Sequence, residues 1–95
     1  MSSYFRFAET VAAWMQDEGV AAPKAHAFIT QMLRGLAGAS VASPQNSFAT
    51  LTDEHQTPGG LNEQVLQSLT DAGVFKELDR ALDDVLTRLV SGRSK

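Results

Sequence analysis

The last helix-forming segment of the chain carries more apolar surface than a single helical stripe. Its apolar residues recur at intervals of three and four, the spacing of one helix face. They are Phe75, Leu78, Leu82, Val85, Leu86 and Leu89, and Val74, Ala81 and Val90 widen the face further. A helix that is apolar well beyond one stripe is normally buried on more than one side. Because 95 residues make one small domain, we expect the surplus to be buried against a second copy.

The remaining pattern is helical as well, so we expect an all-α domain over residues 1–95 with four helices and a short connecting helix. Gly19 and Gly73 serve as stop signals, and the polar end Ser91–Lys95 is expected to fray. The helices are predicted at about residues 3–18, from 22 into the small residues 35–40, at 47–54 (short), at 57–72 and at 74–90. The apolar positions of the first three long helices are Tyr4, Phe7, Ala8, Val11, Trp14 and Met15; Ala25, Phe28, Ile29, Met32, Leu33 and Leu36; and Val65, Leu66 and Leu69.

Composition and charge exclude several classes of function. The net charge is −3 and the eight basic residues are scattered singly, which argues against nucleic-acid binding. The absence of cysteine excludes disulfides, cysteine zinc sites and thiol nucleophiles. His26 and His55 lack a partner at metal-ligand spacing, so no metal site is predicted and both are expected to be structural or at the surface. No apolar run could span a membrane and the first residues lack a signal pattern, so we expect a cytoplasmic protein.

The tetrad Thr57-Pro58-Gly59-Gly60 precedes the third long helix and is the most specific motif of the chain. Thr57 is a good N-cap, and Pro58 suits the first helical position because its missing N–H costs nothing there. Two glycines in the first turn would then leave the backbone N–H groups open to a ligand. A helix N-terminus with free donors attracts anions. An ordinary loop-to-helix junction is the alternative explanation of these four residues.

The segment around this tetrad resembles the C-terminal dimerisation domain of pyrroline-5-carboxylate reductase. That family carries a Leu-x-Asp-x-Val-x-Ser-Pro-Gly-Gly-Thr-Thr signature, and this chain has Leu51-Thr-Asp-Glu-His-Gln-Thr-Pro-Gly-Gly60, followed by Leu66 and by Leu69-Thr-Asp-Ala-Gly73-Val-Phe. Upstream, Tyr4-Phe5 with Glu9, and Gln31 with Gly35, match its first two helices. The resemblance covers nearly the whole chain, and the Pro-Gly-Gly segment is its specific part.

The resemblance implies an intertwined homodimer that contributes to the substrate site of a reductase. The family reduces a cyclic imine carboxylate to proline with NADPH or NADH, and its Pro-Gly-Gly turn holds the substrate carboxylate. Carried over by position, the substrate-binding residues here are Thr57, Pro58, Gly59, Gly60, Leu61 and Asn62. Leu61 and Asn62 replace the family's two threonines, which leaves the exact imine or acid open. No residue is assigned a catalytic role.

No element of the sequence can bind a dinucleotide. Gly35-Leu-Ala-Gly38 lies at the end of a helix and lacks the remaining glycines of a nucleotide loop. The chain is therefore expected to bind no cofactor and to be inactive as a reductase by itself. Two alternatives stay open. One is a helical module that only binds another protein, and the other is a small helical enzyme like the chorismate mutases, whose arginine and lysine spacing this chain lacks.

Overall fold

The computed structural model describes residues 2–93, which form five helices and contain no strand. The helices are α1 (Ser2–Asp17), α2 (Ala22–Ala42), α3 (Phe48–Glu54), α4 (Leu61–Asp71) and α5 (Val74–Arg93). The all-α prediction, including a short connecting helix, is confirmed. The chain divides into two compact units, Met1–Leu51 and Thr52–Lys95, and the division falls inside α3.

Two glycines end helices at the positions expected from the sequence. Gly19 follows α1 with φ +98°, and Gly73 separates α4 from α5 with φ +78°. After α1 the Val20 N–H donates to the Met15 carbonyl at 3.0 Å, the bond that closes a Schellman cap. Only glycine adopts positive φ without cost, so these two positions fix where the chain reverses.

Two helices are longer than the pattern predicts. α2 continues through the small residues 35–40 to Ala42, and α5 continues through residues 91–93. Each glycine inside a helix costs only about 1 kcal/mol relative to alanine, and the neighbouring alanines of α2 are the best helix formers. The expectations that α2 fades within residues 35–40 and that the chain frays after Val90 were therefore wrong for residues up to 93. Ser94 and Lys95 lie outside the described residues.

The first unit is a helical hairpin of α1 and α2 with a very small core. Ala25 is fully buried and Ile29 is 5% exposed, and these are the only buried side chains among residues 2–92. The half-buried side chains of α1 are Ala8, Val11, Ala12 and Met15. The larger apolar side chains predicted for the same helices stay exposed in the single chain, namely Tyr4, Phe7, Trp14, Phe28, Met32, Leu33 and Leu36.

In the second unit α4 packs against α5 but is too short to cover it. At about 1.5 Å per residue, the 11 residues of α4 extend about 16 Å and the 20 residues of α5 about 30 Å. Leu66 and Leu69 of α4 are half-buried as predicted, whereas Val65 is 57% exposed and not inward. Every large apolar side chain of α5 from Val74 to Val90 remains 43% to 60% exposed.

The polar side of α5 carries an ion-pair cluster centred on Arg80. The Arg80 guanidinium donates to both oxygens of Glu77 and, through Nη1, to Asp84 Oδ2 at 2.8 Å. Arg80 and Asp84 stand four residues apart, the spacing at which side chains on one helix face can pair. Arg80 holds the pKa of Glu77 below its usual value, and Glu77 raises the pKa of Arg80. These exposed ion pairs all lie on the polar face of α5, and none of them covers its apolar face.

None of the helices within residues 2–93 combines the length and apolar character needed to cross a membrane.

Candidate functional site

Thr57–Gly60 forms a tight turn that precedes α4, and this corrects the expected helix start. α4 begins at Leu61 with Gly60 as its N-cap residue, so Thr57 is not the cap and Pro58 is not the first helical position. The Gly60 N–H donates to the Thr57 carbonyl at 2.7 Å, and Gly59 has φ +74°. Proline at the second position and positive φ at the third are the features of a type II turn. One backbone hydrogen bond closes this turn, and the helix begins only after it.

Both glycines of the turn have a local structural cause. Gly59 occupies the left-handed region, which disfavours residues with a side chain. A Cβ atom on Gly60 would lie 2.8 Å from the Thr57 carbonyl oxygen, closer than real Cβ contacts. The sequence had suggested that the glycines lie in the first turn of the helix and leave it open to a ligand. They instead precede the helix. They shape the turn that leads into it.

Free backbone donors nevertheless remain where α4 begins. The Gly60 N–H is used inside the turn, and the Gly59 N–H donates to Glu63 Oε1 at 3.2 Å. The first helical bond is made by the Gln64 N–H to the Gly60 carbonyl at 3.1 Å. Within residues 2–93, the N–H groups of Leu61, Asn62 and Glu63 have no acceptor, and all three residues are exposed. The donors available to an anion are thus one to three residues later than the glycines.

The Asn62 side chain is engaged in holding the turn. Its Nδ2 donates to the His55 carbonyl at 3.1 Å, which ties the start of α4 to the residues that precede the turn. This bond gives the His55 backbone a part in holding the turn. Of the six residues predicted to bind substrate, Asn62 therefore has a supporting function that its position alone did not reveal.

Glu63 is the residue that the sequence analysis missed. It is the only acidic residue in the first turn of α4 and accepts the hydrogen bond from Gly59. A capping box would join this glutamate to the N–H of the N-cap residue; here Glu63 reaches one residue further back, to Gly59, and the N-cap Gly60 has no side chain to complete the motif. The contact was not predicted because the cap was assigned to Thr57 instead of Gly60. Glu63 puts a negative charge beside the N-terminus that the helix dipole makes attractive to anions.

A shallow groove of about 290 Å³ runs from the turn along one side of α4. Its lining residues are Gly59, Gly60, Glu63, Gln64, Gln67, Ser68 and Asp71. The Gln67 amide donates to Asp71 Oδ1 at 2.8 Å, so the far end of the groove is occupied by its own hydrogen bond. The lining includes two acids and no basic side chain. Attraction for a carboxylate must therefore come from backbone donors.

The structure shows no metal centre in the part of the chain that it describes: residues 2–93 contain no group of three histidine, cysteine, aspartate or glutamate side chains placed to hold an ion.

Comparison with known proteins identifies one relationship. A family model described as pyrroline-5-carboxylate reductase dimerisation matches residues 1–91. No curated protein and no solved structure gives a significant match. The matched region includes the turn, the start of α4 and nearly all of α5.

The turn gives a prediction about glycine substitutions. We expect Gly60→Ala to lower the free energy of unfolding by at least 1 kcal/mol, since its Cβ would meet the Thr57 carbonyl. Gly59→Ala should also destabilise, by about 1–2 kcal/mol, because φ is positive there. Gly38→Ala is the matched control: nothing lies within 4 Å of its Cβ and the helix should gain up to about 1 kcal/mol. Chemical denaturation at one fixed protein concentration measures all three, and equal stabilities of Gly60→Ala and Gly38→Ala would contradict this account of the turn.

Proposed function

The chain belongs to the pyrroline-5-carboxylate reductase dimerisation family, and from that membership we propose that it forms an intertwined homodimer which supplies part of the substrate site of an NAD(P)-dependent reductase. The parent activity proposed is reduction of a cyclic imine carboxylate in proline biosynthesis, or of a related imine. The family relation and the absence of cysteine support a cytoplasmic location.

The observation that carries the dimer is the exposed apolar surface. A single chain buries only Ala25 and Ile29 among residues 2–92, while the whole apolar face of α5 and the aromatic side chains of α1 stay in water. Monomers rarely expose contiguous apolar patches larger than a few hundred Å². An obligate dimer that buries on the order of 2,000 Å² or more would remove this surface from water.

The proposed substrate role depends on the start of α4. The turn from Thr57 to Gly60 and the first helical residues Leu61 and Asn62 form the proposed binding segment, in which the exposed N–H groups of Leu61 and Asn62, together with that of Glu63, are the donors to a carboxylate. The glycines set the path of the backbone, and Asn62 holds the turn to His55. The reacting cofactor, NADPH or NADH, would be held by a separate nucleotide-binding domain.

Two other functions compete with this proposal. A helical module for another protein would also use exposed apolar faces, but it gives no reason for a match over residues 1–91 to a dimerisation family. An enzyme of the helical chorismate mutase type needs several cations converging on a dicarboxylate. The groove beside α4 has no basic side chain, and Arg80 is already held by Glu77 and Asp84.

The proposed dimer can be tested by substitutions on the apolar face of α5. Leu82→Asp or Val85→Asp should abolish dimerisation and cooperative folding together, because the folded monomer would leave the α5 face in water. Light scattering and circular dichroism at micromolar concentration measure the two effects. Thr87→Asp introduces the same charge on the polar side of α5 and should cost only a few tenths of a kcal/mol. A wild-type chain that is a stable, fully folded monomer would overturn the dimer and favour the interaction module.

Anion binding at the start of α4 is the second prediction. Titration with formate, sulfate or proline should shift the amide NMR signals of Leu61, Asn62 and Glu63, because their N–H groups have no acceptor in the described structure. Glu63→Gln keeps an oxygen for the Gly59 N–H but removes the competing charge. We expect it to tighten anion binding about two- to fivefold, the effect of one charge at a helix N-terminus. Shifts spread evenly over the helices, unchanged in Glu63→Gln, would show that the turn is only structural.

The third prediction concerns the cofactor. Calorimetric or fluorescence titration of the isolated chain with NADPH and NADH should detect no binding at micromolar concentration, since the chain lacks a glycine-rich nucleotide loop. Bovine serum albumin at the same concentration controls for non-specific heat. Micromolar affinity for either nucleotide would refute the assignment of cofactor binding to a separate domain.

A further inference from the structure

Glu63 gives the proposed binding segment a charge that disfavours a simple anion. It is the only acidic residue in the first turn of α4, where the N–H groups of Leu61, Asn62 and Glu63 itself are open. We propose that Glu63 is a specificity-determining residue, which selects a ligand that carries a positively charged nitrogen next to its carboxylate over a ligand with a carboxylate alone. This inference rests on the proposed substrate role of the start of α4. It adds a residue that lies beyond the family signature, which ends at Asn62.

No cation neutralises the Glu63 carboxylate in the part of the chain that the structure describes. The sequence of α4 contains no lysine, arginine or histidine, and none of the ion pairs within residues 2–93 includes Glu63. Its Oε1 atom accepts the N–H of Gly59 at 3.2 Å, whereas its Oε2 atom takes part in no hydrogen bond within those residues. A carboxylate oxygen of this kind can accept a further hydrogen bond, and a charged donor makes the stronger one.

Glu63 belongs to both parts of the proposed site. Its N–H is one of the three open donors, and the residue lines the groove of about 290 Å³ together with Gly59 and Gly60. A ligand whose carboxylate accepts the Glu63 N–H, and whose remaining atoms enter the groove, therefore passes the Glu63 carboxylate. The volume of the groove is at the lower end for small-molecule sites, so such a ligand is small.

Two electrostatic effects of similar size act on a ligand at this position. The positive end of α4 attracts a carboxylate, and the negative charge of Glu63 repels it. Because no basic side chain lines the groove, a simple anion gains little from the two effects together. A protonated nitrogen beside the ligand's carboxylate changes the second effect into an attraction, since it donates to Oε2 while the carboxylate keeps the backbone donors.

Asp71, the other acid of the groove, cannot serve the same ligand. It lies eight residues after Glu63, which is about 12 Å along the helix axis and longer than a five-membered ring with one substituent. Its Oδ1 atom also accepts the hydrogen bond from the Gln67 amide at 2.8 Å. Asp71 therefore provides a matched control, an acid of the same helix and groove that is out of reach of the ligand.

Two ligands of the same shape and different charge test the selection. L-Proline carries a protonated ring nitrogen beside its carboxylate, and tetrahydrofuran-2-carboxylate has the same ring with an oxygen in place of that nitrogen. NMR titration of the chain at neutral pH and low salt should shift the amide signals of residues 61–63 with both ligands. We expect L-proline to bind at least about threefold more tightly, because only its nitrogen is attracted by Glu63.

Glu63→Gln should change the two affinities in opposite directions. The glutamine keeps an oxygen for the Gly59 N–H but carries no charge. We expect it to weaken binding of L-proline about two- to fivefold and to tighten binding of tetrahydrofuran-2-carboxylate by about the same factor. Asp71→Asn should leave the ratio of the two affinities nearly unchanged, because about 12 Å exceeds the screening length of about 8 Å at physiological ionic strength.

A measurement on the wild-type chain guards against a folding defect in Glu63→Gln. Raising sodium chloride from about 20 mM to about 500 mM screens the exposed charge of Glu63, so the preference for L-proline should fall toward equal affinity. Competition from chloride for the backbone donors lowers both affinities alike and leaves their ratio unchanged.

The outcomes separate this inference from the proposed function. If neither ligand shifts the amide signals of residues 61–63, the proposed site and the selection fall together. If both ligands bind but with equal affinity at low salt, or if Glu63→Gln leaves their ratio unchanged, the segment remains an anion site and the selection by charge is overturned. A preference for L-proline that Glu63→Gln reverses, Asp71→Asn retains and salt reduces supports both.

Discussion

The constraint on which the structure depends is that two-helix hairpins cannot cover their own apolar faces. α1 and α2 bury little more than Ala25 and Ile29, and the shorter α4 covers only part of α5. Ordering these helices costs conformational entropy of about 1–2 kcal/mol per residue. A core this small offsets little of that cost. The apolar face of α5 is consequently the largest apolar surface whose burial could still stabilise the fold. A second chain that covered it would provide this burial, which accords with a family defined by dimerisation.

The start of α4 is organised by backbone geometry. A type II turn, fixed by Gly59 and by the approach of Gly60 to the Thr57 carbonyl, delivers the chain into α4. The N–H groups of both glycines donate hydrogen bonds, that of Gly60 to Thr57 and that of Gly59 to Glu63. The N–H groups of the first helical residues have no acceptor. Glu63 adds a negative charge next to these donors. The balance between a positive helix end and a neighbouring carboxylate decides how strongly this segment can attract an anion.

Local signals predicted the fold well and the site only in part. The ends of α1 and α4 were predicted from Gly19 and Gly73, which adopt positive φ in the structure. The three-and-four spacing of apolar residues predicted α5. The start of α4 was misplaced because Thr57 and Pro58 suit a helix cap as well as a turn, and one hydrogen bond from Gly60 to Thr57 decides between them. Neither Asn62 bonding to His55 nor Glu63 bonding to Gly59 follows from composition, since each depends on that turn.

The shape of the turn also bears on how its motif should be used in other sequences. Gly59 and Gly60 are explained by the backbone conformation of the turn itself. A Thr-Pro-Gly-Gly tetrad ahead of a helix therefore indicates this bend, whatever the start of the helix binds. In the three residues that follow, the backbone N–H groups are open, whereas the side chains of Asn62 and Glu63 are bonded to His55 and Gly59 and hold the bend in place. In a survey of relatives, the tetrad would identify this bend and would say nothing by itself about a ligand.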